Sequence, residues 1–187
     1  MNKWKLLEEK DVSPSKWFPI KQHKVELPNG KIIDDYFISP LGDVAMVLPI
    51  LKTGEIVLVK QYKHAIDEIM VELPAGFQQK DKTLPESALA ELEEEVGIQT
   101  DIKNLEFIGK FSNNPTKTTH ITHSFLARNL EFNSKQRLDS TEEIEIMILK
   151  PGKVLQMIQS QKIWVADTIT TILYAYLKYP ELFKDHD

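Results

Sequence analysis

GFQQKDKTLPESALAELEEEVGI, residues 76–98, decides how this chain is read, because it sets a glycine ahead of a short helix crowded with carboxylates. Thr83 and Glu86 have the spacing of a capping box, Pro85 suits a first turn and Gly97 suits a C-terminal stop. Together they predict a helix over 84–96. Glu91 and Glu95 share one face of it and Glu94 borders that face, while Leu89, Leu92 and Val96 form an apolar stripe that can anchor the helix to a core. Carboxylates at this density repel one another by roughly a few tenths of a kcal/mol per i,i+4 pair. A hard divalent cation reverses that cost. Mg²⁺ takes oxygen ligands and is commonly held by a few carboxylates together with substrate phosphates. The plain alternative is a solvated acidic helix.

Outward from this segment, strands dominate the first third of the chain. WFPIKQHKVEL and KIIDDYFIS flank Pro28-Asn29-Gly30, a strong tight-hairpin signal. DVAMVLPIL and EIVLVKQY flank Lys52-Thr53-Gly54 as a second, more deeply buried hairpin, and IMVEL leads into the glycine of residue 76. Beyond the acidic helix, LEFIGKFS, HITHSFLARNL and EIEIMIL are further strands. Two helices close the chain: one over 151–160, the other placing Ile169, Ile172, Leu173, Tyr176 and Leu177 on one face and ending before Pro180. Mixed strands, one helix, more strands and terminal helices suit an α/β sandwich.

At 187 residues the chain can bury a sizeable core, and its 42% hydrophobic and 27% charged content are globular values. The net charge of −5 comes with no basic stripe, which argues against nucleic acid as a partner. There are no cysteines, which excludes disulfides and thiolate metal sites. The N-terminal MNKWKLLEEKDVS lacks an apolar signal core and no apolar run is long enough for a membrane span, so a cytoplasmic protein is expected.

The 76–98 segment resembles the Nudix box: Gly76, Glu91, Leu92, Glu94, Glu95, Gly97 and Ile98 fall in register with its pattern, after a matching Glu72-Leu73-Pro74-Ala75. Two positions depart from it. Lys82 stands where the family has its first Glu, and Ala90 where it has Arg. In the family these two form an ion pair that orients the metal-binding carboxylates. Here both members are missing together, which strands no charge.

The resemblance implies an α/β/α sandwich with a mixed sheet, preceded by N-terminal antiparallel strands. It implies Mg²⁺ (or Mn²⁺) held by Glu91, Glu95 and the backbone carbonyl of Ala75, with Glu94 and Glu142 as the catalytic carboxylates. Glu142 is matched by register to a glutamate on a mobile loop, and Ser140 stands where some members carry a second carboxylate. Gln61-Tyr62-Lys63 resembles the Gln-Tyr-Arg motif of the ADP-ribose pyrophosphatase branch, which makes Lys63 a candidate phosphate contact. Asn114-Pro115, with His123 and Phe125-Leu126-Ala127, resembles a segment that lies beside the substrate there, making Pro115 a candidate substrate contact. His123 is as readily a strand-packing residue, and His120 a loop residue. The expected reaction is metal-dependent hydrolysis of a nucleoside diphosphate linked to another moiety, ADP-ribose or a nucleotide sugar. The alternative is a nucleotide-binding module with weak turnover or none.

Residues 1–41, with Trp4, Trp17, Phe18, Tyr36 and Phe37, form an N-terminal β extension ahead of a domain over 42–187. A lone hairpin with such residues is marginal in water. A similar sheet in that branch contacts a second subunit, so a homodimer is expected. A hairpin folded back on its own domain is the alternative.

Overall fold

The computed structural model describes residues 1–184, grouped into two compact units. The first comprises Met1–Asp43 with Ser112–Ile121. Its strands are Lys5–Asp11 (β1), Lys21–Glu26 (β2) and Ile32–Ile38 (β3), an antiparallel sheet in the order β1-β2-β3. The Pro28-Asn29-Gly30 turn closes β2 onto β3, with the Leu27 N–H on the Lys31 carbonyl at 2.8 Å. β2 begins at Lys21 and not at Trp17, because Ser15 and Phe18 close a tight bridge of their own before it. Residues 112–121 are tied to β3: the Tyr36 hydroxyl donates to the Thr116 carbonyl and the Ser39 N–H to the Lys117 carbonyl, each at 2.7 Å.

The second unit runs from Val44 to Phe111 and onward from Thr122. Its elements are Val44–Leu51 (β4), Ile56–Lys63 (β5), Glu68–Glu72 (β6), Ala75–Phe77 (β7), Leu84–Glu91 (α1), Leu105–Phe111 (β8), Thr122–Leu130 (β9), Ile144–Leu149 (β10), Pro151–Gln159 (α2) and Ala166–Lys178 (α3). The mixed sheet has the order β10-β5-β4-β9-β8, with β6 on β5 and β7 on β4; β4 and β9 are parallel and the other pairs antiparallel. The β4–β5 hairpin forms as expected but pairs only at Ile50 and Ile56. Farther along, β5 pairs with β6 and β4 with β7, so the Leu73-Pro74 link spans the place where the strands part. The Pro74 carbonyl accepts from Val47 N–H at 3.0 Å.

Alternation along the central strands makes the sandwich. Met46, Leu48, Ile50, Ile56, Leu58 and Leu126 pack with Val154, Met157, Ile172 and Ala175 of α2 and α3. The intervening Ala45, Val47, Val57, Val59, Phe125 and Ala127 pack with Ala88, Leu92 and Val96 on the other side. The result is an α/β/α sandwich. Two helical faces differ from expectation. On the acidic helix the buried row is Ala88, Leu92 and Val96, and Leu89 is only half-buried. On α3 the buried face is Thr168, Thr171, Ile172 and Ala175, while Leu173, Tyr176 and Leu177 are exposed. The threonines are buried because they have internal partners: Thr168 Oγ1 accepts from Leu73 N–H at 3.1 Å, and Thr171 Oγ1 lies 2.7 Å from Ser124 Oγ. Among the described residues no helix is long and apolar enough to cross a membrane.

Candidate metal and catalytic site

The capping box at Thr83 forms in full, with the Glu86 carboxylate accepting from Thr83 N–H at 2.7 Å and Glu86 N–H reaching Thr83 Oγ1 at 3.4 Å. After Glu91 the helix continues as a wider, π-type turn over Leu92–Val96. Such turns recur at functional sites. Gly97 ends it at φ 77°, and a Cβ there would meet the Ser134 carbonyl oxygen at 2.8 Å, so glycine is required twice over. Gly76 has a different reason. A Cβ on it would fall 2.3 Å from the Glu91 Oε1 atom; the missing side chain is the space in which the Glu91 carboxylate lies against the β7 backbone.

Glu95 is buried at 7% exposure, and its Oε2 accepts from the Ala75 N–H at 3.1 Å. Burial, reinforced by the charge of Glu91, pushes its carboxyl up to about 8 against the pull of the Ala75 N–H and Lys63. Burial likewise pushes Glu91 up to about 7, with Glu94 and Glu142 adding repulsion, and a hydrogen bond from Gln79 and the charge of Lys82 opposing it. Glu94 also faces Gln79, whose Nε2 lies 3.3 Å from Glu91 Oε1 and 3.3 Å from Glu94 Oε2. Glu91, Glu94 and Glu95 are therefore brought to one face, which bears on β7 and not on solvent alone.

Among the described residues no three acidic or histidine side chains converge closely enough to cage an ion by themselves. The donor set is a pair of repelling, desolvated glutamates. That fits a divalent cation of the Mg²⁺ type, which uses one or two carboxylates and completes its shell with waters and substrate phosphates.

The other expected site residues are placed as follows. Glu142 stands on the exposed loop between β9 and β10, its Oε2 accepting from Asp139 N–H at 3.1 Å, and its charge acts on both Glu91 and Glu95. The stem of that loop is tied to the helix: Arg137 N–H donates to the Glu94 carbonyl at 2.9 Å and Gln136 Nε2 to the Glu95 carbonyl at 2.7 Å. Lys63, at the end of β5, pairs with Glu72 at 2.8 Å and reaches Gln61 Oε1 at 2.7 Å. Pro115 belongs to the other compact unit. His123 packs beside Phe107 on the sheet, with ring centroids 6.3 Å apart. Lys82 and Ala90, the two departures from the box, line one open cleft of about 700 Å³ with Glu86, Leu89 and Glu93. Sequence reasoning missed Gln79. The signal available was its place in the turn between the glycine and the cap.

Two family models match the chain: the nucleoside diphosphate sugar hydrolase N-terminal domain over residues 4–39 and the NUDIX domain over residues 40–167. The chain is 35% identical over 180 residues to an ADP-ribose pyrophosphatase of Bacillus subtilis (strain 168), covering 93% of this chain and 96% of that protein. It is 31% identical over 186 residues to a methanol dehydrogenase activator of Bacillus methanolicus, covering 96% and 98%. A crystal structure of an ADP compounds hydrolase superposes with a TM-score of 0.85 over 97% of this chain and 96% of that one, at 18% identity, a likeness of fold alone. Since the NUDIX model spans well over half of its length and carries the glutamate-bearing helix, the chain belongs to the Nudix family and is a Nudix pyrophosphohydrolase.

Proposed function

We propose that this protein hydrolyses a nucleoside diphosphate linked to a second moiety, ADP-ribose or a nucleotide sugar, to a nucleoside monophosphate and a sugar phosphate, using Mg²⁺ or Mn²⁺. The observation that carries the proposal is the Glu91–Glu95 pair, desolvated beside β7 in the space left by Gly76. The near-full-length likeness to an ADP-ribose pyrophosphatase supports the substrate class. A divalent cation, when bound, neutralises diphosphate charge and lowers the pKa of a coordinated water. Glu91 and Glu95 would hold it, with the Ala75 carbonyl. Glu142, on its exposed loop and within electrostatic reach of both, would take the proton from the attacking water, and Glu94 would support the same charge. Lys63 would reach a phosphate by exchanging one of its present partners, Glu72 or Gln61, for it.

The exposed aromatic residues of the N-terminal extension over 1–41, Trp4, Trp17, Phe18 and Phe37, support a homodimer built through that segment. A second reading, a nucleotide-binding module without turnover, is favoured by Lys82 and Ala90. Purified protein with Mg²⁺ or Mn²⁺ is to be screened against ADP-ribose, nucleotide sugars, dinucleoside polyphosphates and nucleoside triphosphates. Release of AMP from ADP-ribose is expected. Ligand-dependent thermal stabilisation without hydrolysis of any compound would select the binding module instead.

A further inference from the structure

Gln79 sits between the two departures from the box and the carboxylates. Its backbone is fixed: its N–H donates to the fully buried Ser87 Oγ at 3.0 Å, its carbonyl accepts from Lys82 N–H at 3.2 Å, and Gln78 Nε2 closes the same turn on the Lys82 carbonyl at 2.8 Å. Its side chain then has a single sensible orientation. An ammonium group only donates, so Lys82 Nζ, 2.5 Å from Gln79 Oε1, requires the amide oxygen on its own side. The amide nitrogen is thereby turned to the carboxylates, with one hydrogen for Glu91 Oε1 and one for Glu94 Oε2, at 3.3 Å each. The flipped amide would set its oxygen against two carboxylates and its NH₂ against an ammonium.

We propose that Gln79 is a positioning residue, which Lys82 locks in one orientation so that its amide holds the Glu91 and Glu94 carboxylates in place of the absent glutamate–arginine pair. A neutral amide suits the task. A cation touching Glu91 would compete with a metal ion for the same oxygens, whereas two long amide hydrogen bonds orient the carboxylates and leave their remaining lone pairs available. Lys82 acts chiefly at one remove, through the amide oxygen, and its charge adds a weaker direct pull on Glu91.

This role presupposes the divalent-dependent hydrolysis proposed above, and its test separates the two. Mn²⁺ binding to the full chain is measured directly, by its effect on water proton relaxation, alongside kcat and KM for ADP-ribose. Gln79→Leu is expected to weaken Mn²⁺ binding by about tenfold or more, the range for losing a group that orients a ligand, and to lower kcat more than it raises KM, with the melting temperature little changed. Lys82→Met is expected to do the same to a lesser degree, and Lys82→Arg to restore binding. The double variant Gln79→Leu/Lys82→Met should be little worse than Gln79→Leu, because Lys82 works mainly through the amide and only secondarily by its own charge on Glu91. Wild-type Mn²⁺ affinity in Gln79→Leu would overturn the positioning role while leaving the functional reading intact. Additive losses in the double variant would overturn the lock. A wild-type protein that neither binds Mn²⁺ nor turns over would overturn the functional reading, and this role with it. Lys82 is exposed, so its variants hold the test even where a change at half-buried Gln79 disturbs folding.

Discussion

The three atoms that a methyl group at residue 76 would meet first all belong to the Glu91 carboxylate, the far end of a flexible side chain. Gly76→Ala is therefore expected to cost little stability while moving the very group proposed to hold the metal. Turnover should fall about 10- to 100-fold, the usual size for disturbing a ligand's placement, with an unchanged circular dichroism spectrum. Unchanged turnover would mean that Glu91 has no fixed post. Glu95 makes a second expectation, in pH. Its carboxyl is raised from 4.5 to about 8, so the fold favours the protonated form; this contribution is fully present below about 4.5 and is lost as pH rises through 8. Metal-free protein should accordingly melt at lower temperature at pH 9 than at pH 5. Glu95→Gln should flatten that slope and exceed the wild type in stability at pH 9, while abolishing divalent-dependent hydrolysis. Parallel slopes in the two proteins would contradict the burial of a titrating Glu95. Glu91 and Glu95 were legible in the sequence because their spacing repeats the helix period. Gln79 was not, since an amide's role depends on which way it faces and only a neighbouring donor decides that.

For the helices and strands, legibility followed periodicity. β4, β5, β9 and β10 were found because apolar residues run along them, and α1 because its cap residues are local signals. β1 was missed because all seven of its residues are exposed, and β7 because three residues carry no period. The face of α3 was misjudged because Thr168 and Thr171 are buried through hydrogen bonds to Leu73 and Ser124, which a hydrophobic count does not see. The cleft beside α1 invites a test at this scale. Lys82 and Ala90 line it together, and Glu86 and Glu93 line it too, so an arginine at 90 would meet acceptors even without a new acid at 82. Ala90→Arg alone should thus be tolerated. Lys82→Glu alone should lower activity by removing the donor on Gln79. The double variant should recover part of that loss, with a coupling on the order of 0.5–3 kcal/mol in a double-mutant cycle on turnover. Strict additivity would show that positions 82 and 90 act independently.

Over the whole molecule, apolar exposure is heaviest in the N-terminal unit. Trp17 is 82% and Phe18 55% exposed, two adjacent large apolar side chains that a second copy of the chain would cover. Light scattering is expected to give twice the 21.6 kDa chain mass. Deleting residues 1–40 should dissociate the pair or lower solubility, and it also removes Tyr36 and Ser39, the hydrogen-bond partners of residues 116 and 117. A well-behaved monomer at full length would refute the dimer. The parallel pairing of β4 with β9 has a consequence for synthesis. Val44–Leu51 receives this neighbour only when Thr122–Leu130 has been made. At roughly 5–20 residues per second, the interval from Leu51 to Leu130 lasts on the order of 4–16 seconds. Throughout it the most apolar strand of the sheet has one edge open, so a ribosome stalled anywhere between the glutamate helix and β9 holds out a sticky, half-built sheet. Nascent chains, far more than finished protein, are where chaperones should be found on this molecule.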